Sequence, residues 1–590
     1  MSGSPTPFLT AVEIRNLMAV AAGRRPADLV IANVNLVNVH LPRLEENVSL
    51  ALVKDRVAAA GPDLDRLIGP RTTIIDGRGR VCLPGLIDPH THLDSIFSVR
   101  AFARLALLSG NTAVVTETAM IAGAAGIAGV EGFMAEASGL PLRVFFLAPP
   151  LVPPFPALET SAGLSWRDFS RLLRRPDVVG VGETYWRPAL DLGLDVTRRF
   201  ALARSLGKTL EGHAAGARGF NLTAYRAGGI SSCHESTSPE EALERLALGL
   251  AVQIRDGYVR NELPAMGPLA ARADVDFSNL MLCTDLASPD MLLEKGVMNE
   301  LARRAMAVGF DPLQAARLVT LNPARYFGLR DLGRLSPGAL ADLVLVDDLR
   351  GMNPELVLSG GRVVAQGGVL TVDIPDWAYP PDLRHSFKMN PVTAAAFAVK
   401  APSGPVKVRA VAAAGETITK EEIVETVSRR GRISSDPEID LIKIAVFNKH
   451  EAGPAGALGL ARGLGLRRGA LASSLTWDDN NVLAAGVTDR EMAFAVNRLL
   501  EIQGGVVVVR GEKILAEIPL PVGGVISPKP YPDLDREIKA VEKAIRLLGS
   551  SLTRPFLTLQ TFCFTGLPFL RLTDKGLVDI RQGRLVELIA

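Results

Sequence analysis

The sequence predicts an α/β protein built on a (β/α)8 TIM-type barrel, with a small flanking β-sheet domain and a C-terminal α/β domain. Three observations lead there. At 590 residues the chain is too long for one hydrophobic core, so two or three domains are expected. Its central part alternates short apolar strands with helical stretches, the pattern of parallel βα units. Histidines and carboxylates end those strands, where a barrel of this kind gathers its reactive groups.

In chain order, residues 11–22 place Val12, Leu17 and Ala21 at helical spacing, which predicts a short amphipathic packing helix. Residues 28–76 turn to short β-rich runs separated by Gly, Asn and Asp, which predict a small sheet. Barrel strands are expected at Val81–His90, Thr112–Thr118, Arg143–Ala148, Val178–Glu183, Thr209–His213, Gly229–His234, Ala251–Arg255 and Leu280–Asp285. After them, Leu335–Asp347 and Gly361–Ala365 regain β character and are expected to rejoin the first sheet. The expected organisation is therefore 1–80 completed by 333–370, a barrel over 81–332, a Pro-rich linker over 371–405 and a separate domain over 406–590. The glycines of Gly463–Gly469 miss both the dinucleotide and the P-loop spacing and read as turn and packing glycines.

The stretch Leu83-Pro-Gly-Leu-Ile-Asp-Pro-His-Thr-His92 runs an apolar strand into two imidazoles one residue apart. Side chains at i and i+2 of an extended segment share a side, so His90 and His92 can reach one cation. Alone, such a pair is better read as two surface histidines at a strand end. Glu183, His213, His234 and Asp285 also fall at expected strand ends, and four of the seven histidines belong to this set. Each has an ordinary alternative, as a strand-end cap for Glu183, a loop residue for His213 or a helix N-cap for Asp285. Together those alternatives leave buried polar groups unpaired in one barrel.

Composition excludes several other classes. Lys+Arg 65 against Asp+Glu 63 leaves a formal charge of +2 with no basic block, so neither nucleic acid nor an anionic membrane is an expected partner. The four cysteines, Cys82, Cys233, Cys283 and Cys563, are far apart in apolar runs, which fits a reducing cytoplasm rather than a disulfide framework. Charges at Glu13, Arg15, Arg24 and Arg25 interrupt any leader-like core, and no uninterrupted apolar span of membrane length is expected. The Pro-Cys-x-x-Cys segment of the zinc cytidine-type deaminases is missing.

On these residues the chain resembles the amidohydrolase superfamily and, within it, the bacterial adenine deaminases. Pro84 to His92 looks like the superfamily's first metal motif, and Leu321-Asn-Pro-Ala324 followed by Gly338 to Val344 is similar to its exit from the barrel. Glu211-Gly-His-Ala-Ala-Gly216, Cys233-His-Glu235, Ile254-Arg-Asp-Gly257, Gly469 to Ser474 and Leu572 to Asp579 resemble adenine deaminases in particular. The resemblance implies one or two divalent ions (Mn²⁺, Fe²⁺ or Zn²⁺) on His90, His92, His213, His234 and Asp285, with Glu183 as a bridging ligand. Asp285 is the expected proton carrier, and Glu235 the expected donor to a ring nitrogen.

The departures concern the substrate. The family's Asp-Pro-His-Glu after strand two is Glu117-Thr-Ala-Met120 here, and its His-Asp-Ser-His-Asn run is Trp477-Asp-Asp-Asn-Asn481. Leu286-Ala-Ser288 replaces Asp-Arg-His, and Tyr185-Trp186 stands where a Met follows the bridging carboxylate. Glu117, Tyr185, Trp186, Ser288, Trp477 and Asp478 are accordingly the expected substrate contacts. The expected function is hydrolytic deamination of adenine, or of a related nitrogen heterocycle, in a cytoplasmic homo-oligomer of two or more copies. The alternatives are a cyclic-amide hydrolase or a deaminase of another aminopurine or pterin on the same scaffold, and a non-catalytic relative.

Overall fold

The structure is a computed structural model that describes residues 8–191, 195–453, 455–477 and 479–590. The first sheet has nine strands, and its members come from both ends of the barrel segment: Leu29–Asn38, Arg43–Val53, Arg56–Gly61, Thr73–Asp76 and Val81–Pro84 from before it, Leu343–Val346, Pro354–Ser359, Arg362–Gln366 and Val369–Leu370 from after it. Val81–Pro84 is the seam, paired parallel to Leu29–Asn38 and antiparallel to Leu343–Val346. The helix Ala11–Ala21 opens with a capping box between Thr10 and Glu13. It packs through Leu17 and Val20, while Val12 and Ala21 of the expected face point to solvent.

The barrel strands, here β1 to β8, are Leu86–Thr91, Asn111–Thr116, Arg143–Ala148, Val178–Tyr185, Thr209–His213, Ser232–Cys233, Ala251–Arg255 and Leu280–Cys283. All the pairings between them are parallel, in a five-stranded sheet (β5-β4-β3-β2-β1) and a three-stranded one (β6-β7-β8). Two backbone bonds span the gaps, Ser231 N–H to Leu210 C=O (2.9 Å) and Asp285 N–H to His90 C=O (3.1 Å). The circle of eight is thus closed.

Five expected strands differ from the observed ones, two of them only at their ends: Asn111–Thr116 stands for Thr112–Thr118 and Val178–Tyr185 for Val178–Glu183. Val81–His90 is two strands in two sheets, broken at Gly85, where an added Cβ would lie 2.0 Å from Thr112 Oγ1. Gly229–His234 contracts to two residues, since Gly229 sits at φ +105° and leaves extended geometry. β8 stops at Cys283, and Asp285 and Leu286 follow with φ +48° and +88°. Backbone held in that region by residues other than glycine collects at functional sites.

The C-terminal unit carries an eight-stranded sheet, largely antiparallel, from Gly404–Ala413 to Lys513–Pro519, covered by helices Asp489–Glu501 and Tyr531–Leu547. It docks firmly on the barrel. Ile526–Ser527 pairs with Ile96–Phe97, Phe97 meets Tyr531 edge to face at 5.1 Å, and one continuous core runs through both units. The stretch expected to link them is pinned as well: Arg100 donates to Pro375 C=O and covers the Trp377 ring, and Leu383 is buried. Asp440 accepts from the N–H groups of Gly463 and Gly465, so these amides serve a turn, as expected.

Among the described residues one helix, Ala119–Glu136, is long and apolar enough to cross a membrane by length and composition, which the expectation of no such span did not include. Its apolar surface is mostly buried within the protein, and Asn480 donates to Met120 C=O at its first turn.

Candidate active site

Each ligand-type side chain stands at or just past the C-terminal end of a barrel strand. His90 and His92 flank the end of β1, Glu183 lies two residues before the end of β4, His213 ends β5, His234 follows β6 and Asp285 follows β8. Three imidazole Nε2 atoms converge on one carboxylate oxygen: Glu183 Oε1 lies 3.1 Å from His90, 3.4 Å from His92 and 3.1 Å from His234. Asp285 Oδ1 lies 3.3 Å from the Nε2 of both His90 and His92. The His90 and His234 rings are stacked at 4.2 Å. His213 Nε2 and His234 Nε2 each lie 3.4 Å from Glu235 Oε1.

These residues fit a cation. Ligand atoms of His90, Glu183, His234 and Asp285 all lie within 4.8 Å of one another, as do those of His213, His234 and Glu235, with His234 common to both groups. Among the described residues, both nitrogens of His90, Nε2 of His234 and Nδ1 of His92 and His213 are buried without a hydrogen-bond partner. Burial opposes ionisation of Glu183, yet His234, His90 and His92 hold its carboxyl well below the usual range. The same balance holds Asp285 low, with His90, His92 and Arg255 overriding burial. Imidazoles and carboxylates so placed compensate one another where a divalent ion would otherwise do so, and nitrogen–oxygen sets of this kind suit zinc, iron and manganese.

Behind the cluster lies a second layer of carboxylates. Asp88 accepts from Thr284 Oγ1 at 2.6 Å, tying β1 to β8, and burial pushes it up to about 6. Glu117 accepts from the backbone N–H of Glu183 at 3.0 Å and stands 3.8 Å from His90 Nδ1; burial, then Glu183, push it up to about 8. Arg255, at the end of β7, donates to Glu235 and to Asp285 Oδ2 (3.0 Å). Its other edge is held by Glu262 in a two-point contact at 3.0 and 3.2 Å. One guanidinium thus fixes both expected proton carriers.

A cavity opens over this floor. The barrel contributes His92, Glu183, Tyr185, His213, His234 and Glu235, with Arg255, Val259, Arg260 and Asp285. The C-terminal unit contributes Thr417, Trp477, Thr561, Phe564 and Leu567.

Comparison with known proteins agrees with this geometry. A profile described as the amidohydrolase family matches residues 81–364, and one described as the adenine deaminase C-terminal domain matches residues 416–584. The chain is 37% identical to the adenine deaminase of Moorella thermoacetica over 597 residues, 99% of each chain. It is 35% identical to that of Desulfatibacillum aliphaticivorans, covering 97% of this chain and 99% of the other. This chain belongs to the adenine deaminase family.

Set in the adenine deaminase family, the expected substrate contacts divide. Tyr185 and Trp477 line the cavity. Glu117 does not; it lies wholly buried behind Glu183. Trp186 turns away and donates from Nε1 to Ala215 C=O at 2.9 Å. Ser288 bonds Asp290 in a separate surface recess, because the left-handed pair Asp285-Leu286 redirects the chain before it. Asp478 lies outside the described residues. Sequence reasoning quoted Arg255 only as part of Ile254-Arg-Asp-Gly257 and gave it no role, although a charged residue ending an apolar strand was the very signal used for Glu183. Thr417, Thr561 and Phe564 carried no local signal.

Proposed function

We propose that this pocket hydrolyses adenine to hypoxanthine and ammonia, with one or two divalent ions held by His90, His92, His213, His234, Glu183 and Asp285. The chain is a metal-dependent hydrolase of C–N bonds by family, and the observation that carries the reading is the convergence of four imidazoles and two carboxylates on the floor of one cavity. A divalent ion in such a set lowers the pKa of water towards neutrality, so that a nucleophile is available at neutral pH. Asp285, whose Oδ1 faces the imidazoles while Arg255 holds Oδ2, takes the water proton at Oδ1 and delivers it to the departing nitrogen. Glu235 has Oε1 committed to Arg255, which, against the pull of burial, keeps its carboxyl well below the usual range. Glu235 therefore serves as a hydrogen-bond acceptor for a ring N–H, in place of the proton donor expected from the sequence.

The ion is read as Mn²⁺, Fe²⁺ or Zn²⁺, and the compartment as the cytoplasm, since all four cysteines are buried and unpaired. The test is ammonia release from adenine, other aminopurines, pterins and cyclic amides by protein loaded in turn with each metal. Efficient turnover of another heterocycle with adenine inert would replace the adenine reading. No turnover across the panel would refute the aminohydrolase reading altogether.

A further inference from the structure

The side of the cavity that faces the metal-type cluster belongs to residues more than a hundred positions further along the chain. Phe564 stands at its centre, 5.4 Å from the Trp477 ring at a 37° tilt, 5.9 Å from Tyr185 edge to face and 6.3 Å from His213. Trp477 in turn reaches within 6.5 Å of the His92 ring. Trp477 is only 8% exposed and adopts φ +63°, an unfavourable backbone for an indole residue, held there by its surroundings. Val259 and Leu567 complete an apolar frame.

Within that frame stand two polar atoms without a hydrogen-bond partner among the described residues, Trp477 Nε1 and Thr417 Oγ1, of which only the hydroxyl can both donate and accept. Thr417 is 4% exposed, and among the described residues its Oγ1 has no hydrogen-bond partner. It lines the cavity where a second chamber adjoins, the two sharing Glu235, Arg260, Thr417 and Leu567. A buried hydroxyl left unpaired is costly, and such an atom on a cavity wall is accounted for when a ligand brings the partner.

We propose that the C-terminal unit reads the substrate: the faces of Phe564 and Trp477 pack against the heterocycle, and the Thr417 hydroxyl hydrogen-bonds one of its ring nitrogens. The ring's identity rests on the adenine reading; the wall does not. Planar aromatic contacts favour a flat, polarisable ring, and a single hydroxyl reads one heteroatom at its edge. Since the reacting groups lie on the barrel, these contacts act on ground state and transition state alike, so their loss falls on KM more than on kcat.

The test uses full-length, metal-reconstituted protein and the variants Thr417→Val, Thr417→Ser and Phe564→Leu. Metal content is verified in each. Dissociation constants are measured by calorimetry for adenine, hypoxanthine and the 1-, 3- and 7-deaza analogues of adenine, alongside steady-state kinetics. Thr417→Val should weaken adenine about tenfold, the size of one hydrogen bond, while leaving unchanged the deaza analogue that lacks the atom being read. Thr417→Ser should restore most of the loss. Phe564→Leu should weaken every ring by roughly three- to tenfold without regard to nitrogen position. Equal losses for all analogues in Thr417→Val with no rescue by serine, or unaltered affinities in Phe564→Leu, would overturn the proposal. Wild-type protein that binds these rings yet releases no ammonia from adenine would count against the adenine reading alone.

Discussion

The floor and the wall of this cavity are built on opposite principles. The floor is charged, and its residues sit at equivalent places, one strand end after another around the barrel. The wall is aromatic and uncharged, and its residues come from three unrelated stretches near 417, 477 and 561–567. Buried charges are tolerable only in compensating sets, so the floor is stable as an ensemble and fragile to single losses. The wall is an assembly of packing surfaces, where a substitution changes fit before it changes chemistry. The reacting groups and the ring contact of Glu235 thus fall to the barrel and the aromatic contacts mainly to the C-terminal unit, and the two units share one core.

Four predictions test this separation, beginning with the largest effect. His90→Ala or His92→Ala should lower metal occupancy and abolish turnover; elemental analysis that finds a metal-free but active variant would remove the floor's assigned role. Next, Asp285→Asn keeps the shape of the group but not its proton affinity. It should lower kcat by roughly 10² to 10⁴ with the circular dichroism spectrum unchanged, the usual worth of acid–base catalysis. A near-normal kcat would exclude Asp285 as the carrier.

Arg255→Lys loses the two-point contact with Glu262 and the shared contact with Glu235 and Asp285. Supporting groups of this kind are worth about 10- to 100-fold, so kcat should fall by that order while metal content holds and KM moves little. A fall in KM-linked affinity with kcat intact would place Arg255 on the recognition side and break the division.

The smallest effect concerns the wall's foundation. Asp479 bonds Thr476 Oγ1 at 2.6 Å beneath Trp477, and burial, with Asp574 next, pushes it up to about 7. A carboxyl whose folded pKa is raised stabilises the fold below its unfolded value and loses that contribution as pH rises through the folded one. The stability of wild type relative to Asp479→Asn should therefore decline from about pH 4 to about pH 7, by at most about 1.4 kcal/mol per unit, and level off above. Urea unfolding of both proteins at pH 5 and pH 8 measures it; a difference that grows with pH would show the sign to be wrong.

The strand ends were legible because they obey local rules. An apolar run with period two, closed by an imidazole or a carboxylate, announces both a strand and the direction of its last side chain, and so His90, His92, Glu183, His213, His234 and Asp285 could be placed together. Arg255 obeyed the same rule and escaped only because a cation was not sought among ligands. The breaks at Gly85 and Gly229 were less legible, since the first depends on how closely Thr112 approaches from the neighbouring strand. Ser288 shows the limit of proximity in sequence: three residues from Asp285, it faces a different recess after two residues of left-handed backbone.

What the sequence determined by itself, then, is the order of strands, the family and the charged floor, because these follow from repeating patterns each contained within a few residues. What the tertiary structure alone decided is the rest of the wall, Trp477 being the one member of it already expected from the sequence. Nothing near Thr417 or Phe564 marks either as a neighbour of His213 or Asp285, hundreds of residues earlier in the case of Phe564. Their meeting depends on the C-terminal unit burying its apolar faces against the barrel at one particular angle, and that fit is a property of two completed surfaces, written in no single stretch of either.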